Sequence, residues 1–165
     1  MSLKSEKTLN DCYLVRDIIL RREGYDSYES FLKSEYWQGI RKKTQLAKYK
    51  DNYKKCSHCK SKENLNLHHI NYRWLLTKRE LSAITCLCEK CHKAVHNFAN
   101  EHQITISNAT QIHNDKYKEE NLEIGKTMDD LYKEHCISKF INWKTPIPDN
   151  VYLTQEECDF LNGKF

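Results

Sequence analysis

Apolar residues recur at helical spacing over the first fifty positions, and the pattern then changes to the alternation of short strands. In NDCYLVRDIILRRE, residues 10–23, Leu14 and Ile18 lie four apart, Asn10 can cap and Gly24 can stop, which predicts a helix. A second helical region begins at Ser27 and is broken near Ser34. From Ser34 to about Lys50 the apolar positions are Trp37, Ile40, Leu46 and Tyr49, predicting a further helix whose opposite face carries lysine and arginine. NLNLHHI, residues 64–70, alternates as a strand does. Residues 71–82 are polar and basic and read as a loop with at most one helical turn. Ala83 to Leu87 reads as a second short strand, Cys88 turns the chain, and EKCHKAVHNFANE, residues 89–101, reads as a helix. After His102 the pattern weakens. Residues 103–115 read as extended or irregular, Thr127 with Asp130 forms a capping box for a helix to about Ile137, and Thr154 with Glu157 forms another, ending near Gly163. Pro146 and Pro148 mark a turn or linker between the two.

The order strand, loop, strand, helix is a ββα unit, so the expected class is α+β: a small ββα core with helices on either side. Three segments follow: 1–50, helical and basic toward its end; 51–102, the core; and 103–165, a mostly helical extension in which no residue carries legible chemistry. Charged residues make up 30% of the 165 and aliphatic content is modest, so hydrophobic burial alone would give a thin core that a structural metal would supplement.

The formal net charge is only +4, too small by itself to indicate a nucleic-acid partner. Its distribution says more. Lys33, Arg41, Lys42, Lys43, Lys48, Lys50, Lys54, Lys55, Lys60 and Lys62 crowd one stretch, while 115–134 and 149–159 are comparatively acidic. The start, MSLKSEKTLN, has no apolar h-region, and no apolar run reaches membrane-spanning length. A reducing, cytoplasmic setting without a membrane partner is therefore expected, and there paired cysteines mean zinc more often than disulfides.

Cys56, Cys59, Cys88 and Cys91 form two CxxC hooks, the donor set of a closed tetrahedral zinc site with sulfurs about 2.3 Å from the ion. Cys86 is a rival ligand but would share a strand face with Cys88, and Cys-x-Cys is the poorer hook. Cys12, Cys136 and Cys158 read as packing residues. His92 and His96, four apart on a helix, project from one face and can bind one metal; His68, ending the facing strand, is placed to add a third nitrogen. His69 then points the other way, free of metal, as the general base of phosphodiester hydrolysis would. His58, His102, His113 and His135 read as satisfied surface or core residues.

Residues 28–98 resemble the HNH endonucleases of the ββα-metal, or His-Me finger, fold, in the lead-in YESFLKSEYWQGIRKKTQLAKY and in CSHC, LNLHHINY and LCEKCHKAVH. The resemblance implies His69 as general base, and His68, His92 and His96 on a catalytic divalent cation (Mg2+, Mn2+, Ni2+ or Zn2+). It also implies a structural Zn2+ on the four cysteines. DNA is the implied substrate, with RNA left open. Arg41, Lys42 and Lys43, with Arg73, Lys78 and Arg79 of the loop, would contact phosphate. The helical extensions are where a protein partner or second copy would attach. One departure stands out: counting back from His92, the family's middle asparagine, which braces the loop carrying the base, falls on Ala83. Ser82 and Asn71 are the nearest polar substitutes. The sequence thus leaves open a nuclease, a zinc-stabilised nucleic-acid-binding module with a weakened or lost nuclease centre, and a structural zinc protein that joins partners.

Overall fold

Among residues 9–142, which the computed structural model describes, helices surround one two-stranded antiparallel sheet. Helix α1 (Leu9–Arg22) buries Leu9, Cys12, Val15 and Ile18 at three-residue steps. It ends at Gly24, whose φ of +82° lies in the left-handed region that favours glycine. Helix α2 (Tyr28–Leu32) is capped reciprocally: the Ser27 hydroxyl accepts the Ser30 N–H at 3.0 Å, and the Ser30 hydroxyl accepts the Ser27 N–H at 3.1 Å. Helix α3 (Glu35–Thr44) starts on the Ser34 hydroxyl, which accepts the Trp37 N–H at 3.2 Å.

The long helix expected from Ser34 to Lys50 stops at Thr44. Turns follow, and then the short α4 (Lys50–Tyr53). Trp37 and Ile40 are buried, but Leu46 is 50% exposed, so the apolar repeat beyond Ile40 meets no core that would extend the helix.

Strands β1 (Leu65–His69) and β2 (Ile84–Cys88) pair with Leu65 opposite Cys88 and His69 opposite Ile84. Ala83, expected in the second strand, instead ends a 3-10 turn (Glu80–Ala83), although its carbonyl still accepts the Ile70 N–H at 2.8 Å. Helix α5 (Glu89–Glu101) follows β2 directly, then α6 (Ile106–Lys116), α7 (Glu119–Ile124) and α8 (Met128–Asn142). Helix α6 corrects the irregular reading of 103–115. Thr105 caps it, accepting the Asn108 N–H at 3.1 Å, and Ile106, Ala109 and Ile112 recur at its buried face. Polar and β-branched residues between them, poor helix formers, hide that period in the sequence. Thr127 and Asp130 do exchange capping bonds at the start of α8. The second predicted capping box and the two prolines lie outside the described residues.

An isolated two-stranded ribbon is at best marginal in water. Here both faces are covered. Leu67 and Ile84 pack with Leu20, Phe31, Trp37 and Ile40, while Leu87 packs with Val95, Ala99, Ile106 and Ala109. Because successive side chains of a strand point to opposite faces, His68 turns toward α5 and α6 and His69 toward α2 and α3. No described helix is long and apolar enough to cross a membrane.

Phe31 is fully buried, its ring 5.5 Å from Trp37, 5.4 Å from Tyr25 and 6.5 Å from His69. Phe31→Ala should cost about 3–5 kcal/mol in urea denaturation; a loss below about 1 kcal/mol would mean that this aromatic layer does not hold α2 and α3 to the sheet.

Candidate functional site

Two clusters of metal-ligand type draw on the first two turns of α5, one through Cys91 and the other through His92 and His96. In the first, the sulfurs of Cys56, Cys59, Cys88 and Cys91 lie within 4.8 Å of one another, and the Cys59 and Cys88 sulfurs are 3.6 Å apart. Tetrahedral coordination at about 2.3 Å sets sulfurs about 3.8 Å from each other, so the donor set fits a metal ion. Backbone bonds shape the hook: Cys56 donates to the Ser61 carbonyl at 2.7 Å, and Lys60, at φ +64°, donates back to the Cys56 carbonyl at 3.1 Å. Burial opposes ionisation of Cys56, but hydrogen bonds from the backbone at Cys88, Cys59 and His58 outweigh it and bring its pKa down to about 7. Cys91 is pushed up by burial and by the neighbouring thiols, the opposite direction to Cys56. Cys86 stays outside the cluster. It is buried near the Tyr53 carbonyl at 3.5 Å, and burial pushes its pKa up to about 11.

In the second cluster, one ring nitrogen from each of His68, His92 and His96 lies within 4.8 Å of the others. The ring centres are 5.0 Å apart for His68 and His92, 5.4 Å for His68 and His96, and 4.6 Å for His92 and His96. Hydrogen bonding selects the free nitrogens. The Thr110 hydroxyl donates its single proton to the Ile106 carbonyl at 2.7 Å, so toward His68 Nε2, 3.0 Å away, it can only accept. His68 is therefore protonated at Nε2, and its Nδ1, buried and without a hydrogen-bond partner, keeps a lone pair. His96 Nδ1 is engaged by the Tyr13 hydroxyl at 2.9 Å, leaving Nε2. Burial, then the neighbouring histidines, holds His68 well below the ordinary imidazole value; burial, then His92 and Arg16, brings His96 down to about 4; and burial lowers His92. All three rings are then neutral near pH 7, the form that ligates a cation.

His69 is 3% exposed and lies on the other side of β1. Its Nε2 is 2.9 Å from Glu80 Oε1, and its Nδ1 is 3.1 Å from the Tyr28 hydroxyl. Glu80, fully buried, also accepts the Tyr36 hydroxyl at 2.6 Å and the Leu76 N–H at 2.9 Å, both on Oε2. Both substitutes considered for the missing asparagine are otherwise placed. The Ser82 hydroxyl donates to the Arg79 carbonyl at 2.6 Å, and Asn71 Oδ1 is buried without a partner.

A single cleft of about 430 Å³ is lined by His68, His69, His92 and His96 together with Tyr13, Arg16, Tyr28, Tyr72 and Arg41. The Arg16 guanidinium is 4.7 Å from the Tyr13 ring centre and 4.6 Å from that of Tyr28. Those two tyrosines touch His96 and His69 respectively, so Arg16 stands between the two histidine groups. Of the predicted phosphate contacts, Arg41 reaches this cleft. Lys42, Lys43, Arg73, Lys78 and Arg79 are exposed beyond it, Arg79 lying 4.8 Å from the Trp74 ring centre.

Arg16, Tyr13, Tyr28, Glu80 and Thr110 escaped the sequence reading, because their partners are distant along the chain. Only Glu80, an acidic residue in a loop otherwise basic, left a visible trace. The reading of His58 and His113 as satisfied residues needs correction. His58 Nε2 meets Asn114 Oδ1 at 2.7 Å, but its Nδ1 and His113 Nε2 are buried with no hydrogen-bond partner.

Zinc-loaded protein should carry an ion on the four sulfurs, and chelation should lower the thermal midpoint on the order of 10 °C or more, since a structural metal contributes several kcal/mol. An unmoved transition after verified metal loss would show that the cysteines do not hold the fold. Burial, then the His58 charge, lowers His113 from 6.5 to about 4. The unfolded chain then binds the extra proton between those values, so stability should fall as pH drops through that window. His113→Phe should flatten this loss when urea midpoints at about pH 7 and about pH 5 are compared; an unchanged loss would assign it elsewhere.

No protein-family model, curated protein or solved structure matches this chain, so the two clusters have to be read from their own chemistry.

Proposed function

We propose that the protein is a metal-dependent nuclease of the HNH type, built on a ββα-metal core, that hydrolyses phosphodiester bonds in DNA. One observation carries the reading: three imidazoles with ligand geometry and a fourth, separately braced imidazole line the same cleft, with Arg16 between them. A purely structural zinc protein has no use for the second cluster. Zinc suits the four thiolates, which close a site with no open position.

A divalent cation on His68, His92 and His96 would supply Lewis acidity to the scissile phosphate and the departing 3′-oxygen. The chain's own residues do the rest. Arg16 offers a positive charge to the phosphate between the two histidine groups. Arg41 at the cleft edge, with Lys42, Lys43, Arg73, Lys78 and Arg79 outside it, follows the backbone and contributes affinity that salt weakens. His69 accepts a proton from water as the oxygen bonds to phosphorus and the P–O3′ bond breaks. Ala83 is buried and carries no polar side chain, but the carboxylate of Glu80, at the other end of the same 3-10 turn, reaches His69 instead. That contact favours the nuclease over the binding module.

Nicking of supercoiled plasmid with added Mg2+, Mn2+, Ni2+ or Zn2+ tests the reading. His69→Ala should lower cleavage on the order of 10²–10⁴-fold while DNA binding persists. His68→Ala should be partly restored by raising the metal concentration, and His69→Ala should not. Equal nicking by wild type and His69→Ala would remove the base assignment, and a gel shift without cleavage under any metal would leave the binding module in its place.

A further inference from the structure

The geometry points to Glu80 as the positioning residue of the site: it fixes His69 as the Nε2–H tautomer and so presents Nδ1 as the nitrogen that takes the proton from water. The inference rests on the nuclease reading for its catalytic meaning, but the tautomer can be established without any cleavage.

Three groups point at the two oxygens of this buried carboxylate. The Tyr36 hydroxyl and the Leu76 N–H both donate to Oε2, and His69 Nε2 faces Oε1. An ionised carboxylate only accepts, so a neutral His69 must carry its proton on Nε2. Its lone pair is then on Nδ1. That nitrogen faces the Tyr28 hydroxyl at 3.1 Å, on the cleft wall where Arg16 stacks against the same tyrosine. Burial pushes the Tyr28 pKa up to about 12, so its proton stays in place to be shared with Nδ1 until a water takes that position. Glu80 also holds the loop between the strands. Leu76 donates its N–H from a backbone at φ +61°, a strained conformation for a leucine that needs a fixed partner. One side chain thus braces the loop and orients the base, and the turn that ends at Ala83 supplies it from Glu80.

The same bonds make Glu80→Gln a sharp test. Leu76 N–H needs an acceptor, so the amide oxygen of glutamine must take the Oε2 position and its NH2 must face His69. That NH2 donates to Nε2 and drives the imidazole proton to Nδ1, the wrong tautomer for a base that works through Nδ1; an exchanged tautomer of this sort disables a catalytic histidine without moving it.

Nitrogen-detected NMR of histidine-labelled protein, with His69→Gln to assign the signal, should show Nε2–H in the wild type and Nδ1–H in Glu80→Gln. Tyr28→Phe should retain Nε2–H, because the carboxylate rather than the hydroxyl sets the tautomer. Cleavage by Glu80→Gln should fall on the order of 10²–10⁴-fold at unchanged DNA affinity. Wild type found as Nδ1–H, Glu80→Gln that keeps Nε2–H, or Tyr28→Phe that exchanges the tautomer would each overturn the proposal. Should Glu80→Gln fail to fold, the wild-type and Tyr28→Phe spectra still decide it. If the spectra come out as expected and wild type cuts nothing under any metal, the orienting role of Glu80 stands and the nuclease reading is what falls.

Discussion

Adjacent residues of a β-strand cannot face the same way, and the arrangement of this protein follows from that constraint acting on His68 and His69. One ring is sent toward α5, where His92 and His96 wait one helical turn apart. The other is sent into an aromatic layer formed by α2 and α3, where Trp37 lies 5.1 Å away, centre to centre. Two chemical environments are thus separated by the thickness of a single strand, yet open on the same cleft. One side leaves a buried lone pair for a cation to use. The other ties both nitrogens to protein partners, so the ring's orientation does not depend on a metal.

The sheet that enforces this separation is only two strands wide. Its cover comes from two apolar layers, and its far end is gathered by four sulfurs drawn from the hook at Cys56 and Cys59 and from the start of α5. The hook is tied to the ribbon directly, the Ser57 N–H donating to the Cys86 carbonyl of β2 at 2.8 Å. A metal on those sulfurs would therefore act on the histidines indirectly, by fixing where α5 begins and hence where its fourth and eighth side chains after Cys88, His92 and His96, fall.

Much of the arrangement was legible because it is local. Strand alternation, the two CxxC hooks and the i, i+4 histidines each follow from spacing, and the two clusters assemble from the residues the spacing named. What was not legible is what depends on long separations: Tyr13 on His96, Tyr28 on His69, and His68 on Thr110, which sits in a helix whose polar and β-branched residues hide its period. That Ala83 departs from the resemblance was visible, but the contact of Glu80 with His69 was not. Sequence counting looks for the same residue type at the same position, whereas the physical requirement is an acceptor within reach of a ring nitrogen, and a 3-10 turn can supply one from Glu80.

The hydroxyl of Thr110 belongs to α6, well beyond the stretch that holds every cysteine and histidine of the two clusters, yet it decides which nitrogen of His68 is free. Tyr13 does the corresponding work from α1. The recognisable motif is therefore smaller than the unit that fixes which ring nitrogens are free. A piece of chain cut to the motif, or grafted into another scaffold, would bring every cysteine and histidine of the two clusters and leave behind the groups that set which ring nitrogens carry protons. Any redesign that trims the extensions as dispensable decoration removes the hydrogen bonds to His68 and His96 without touching either ring.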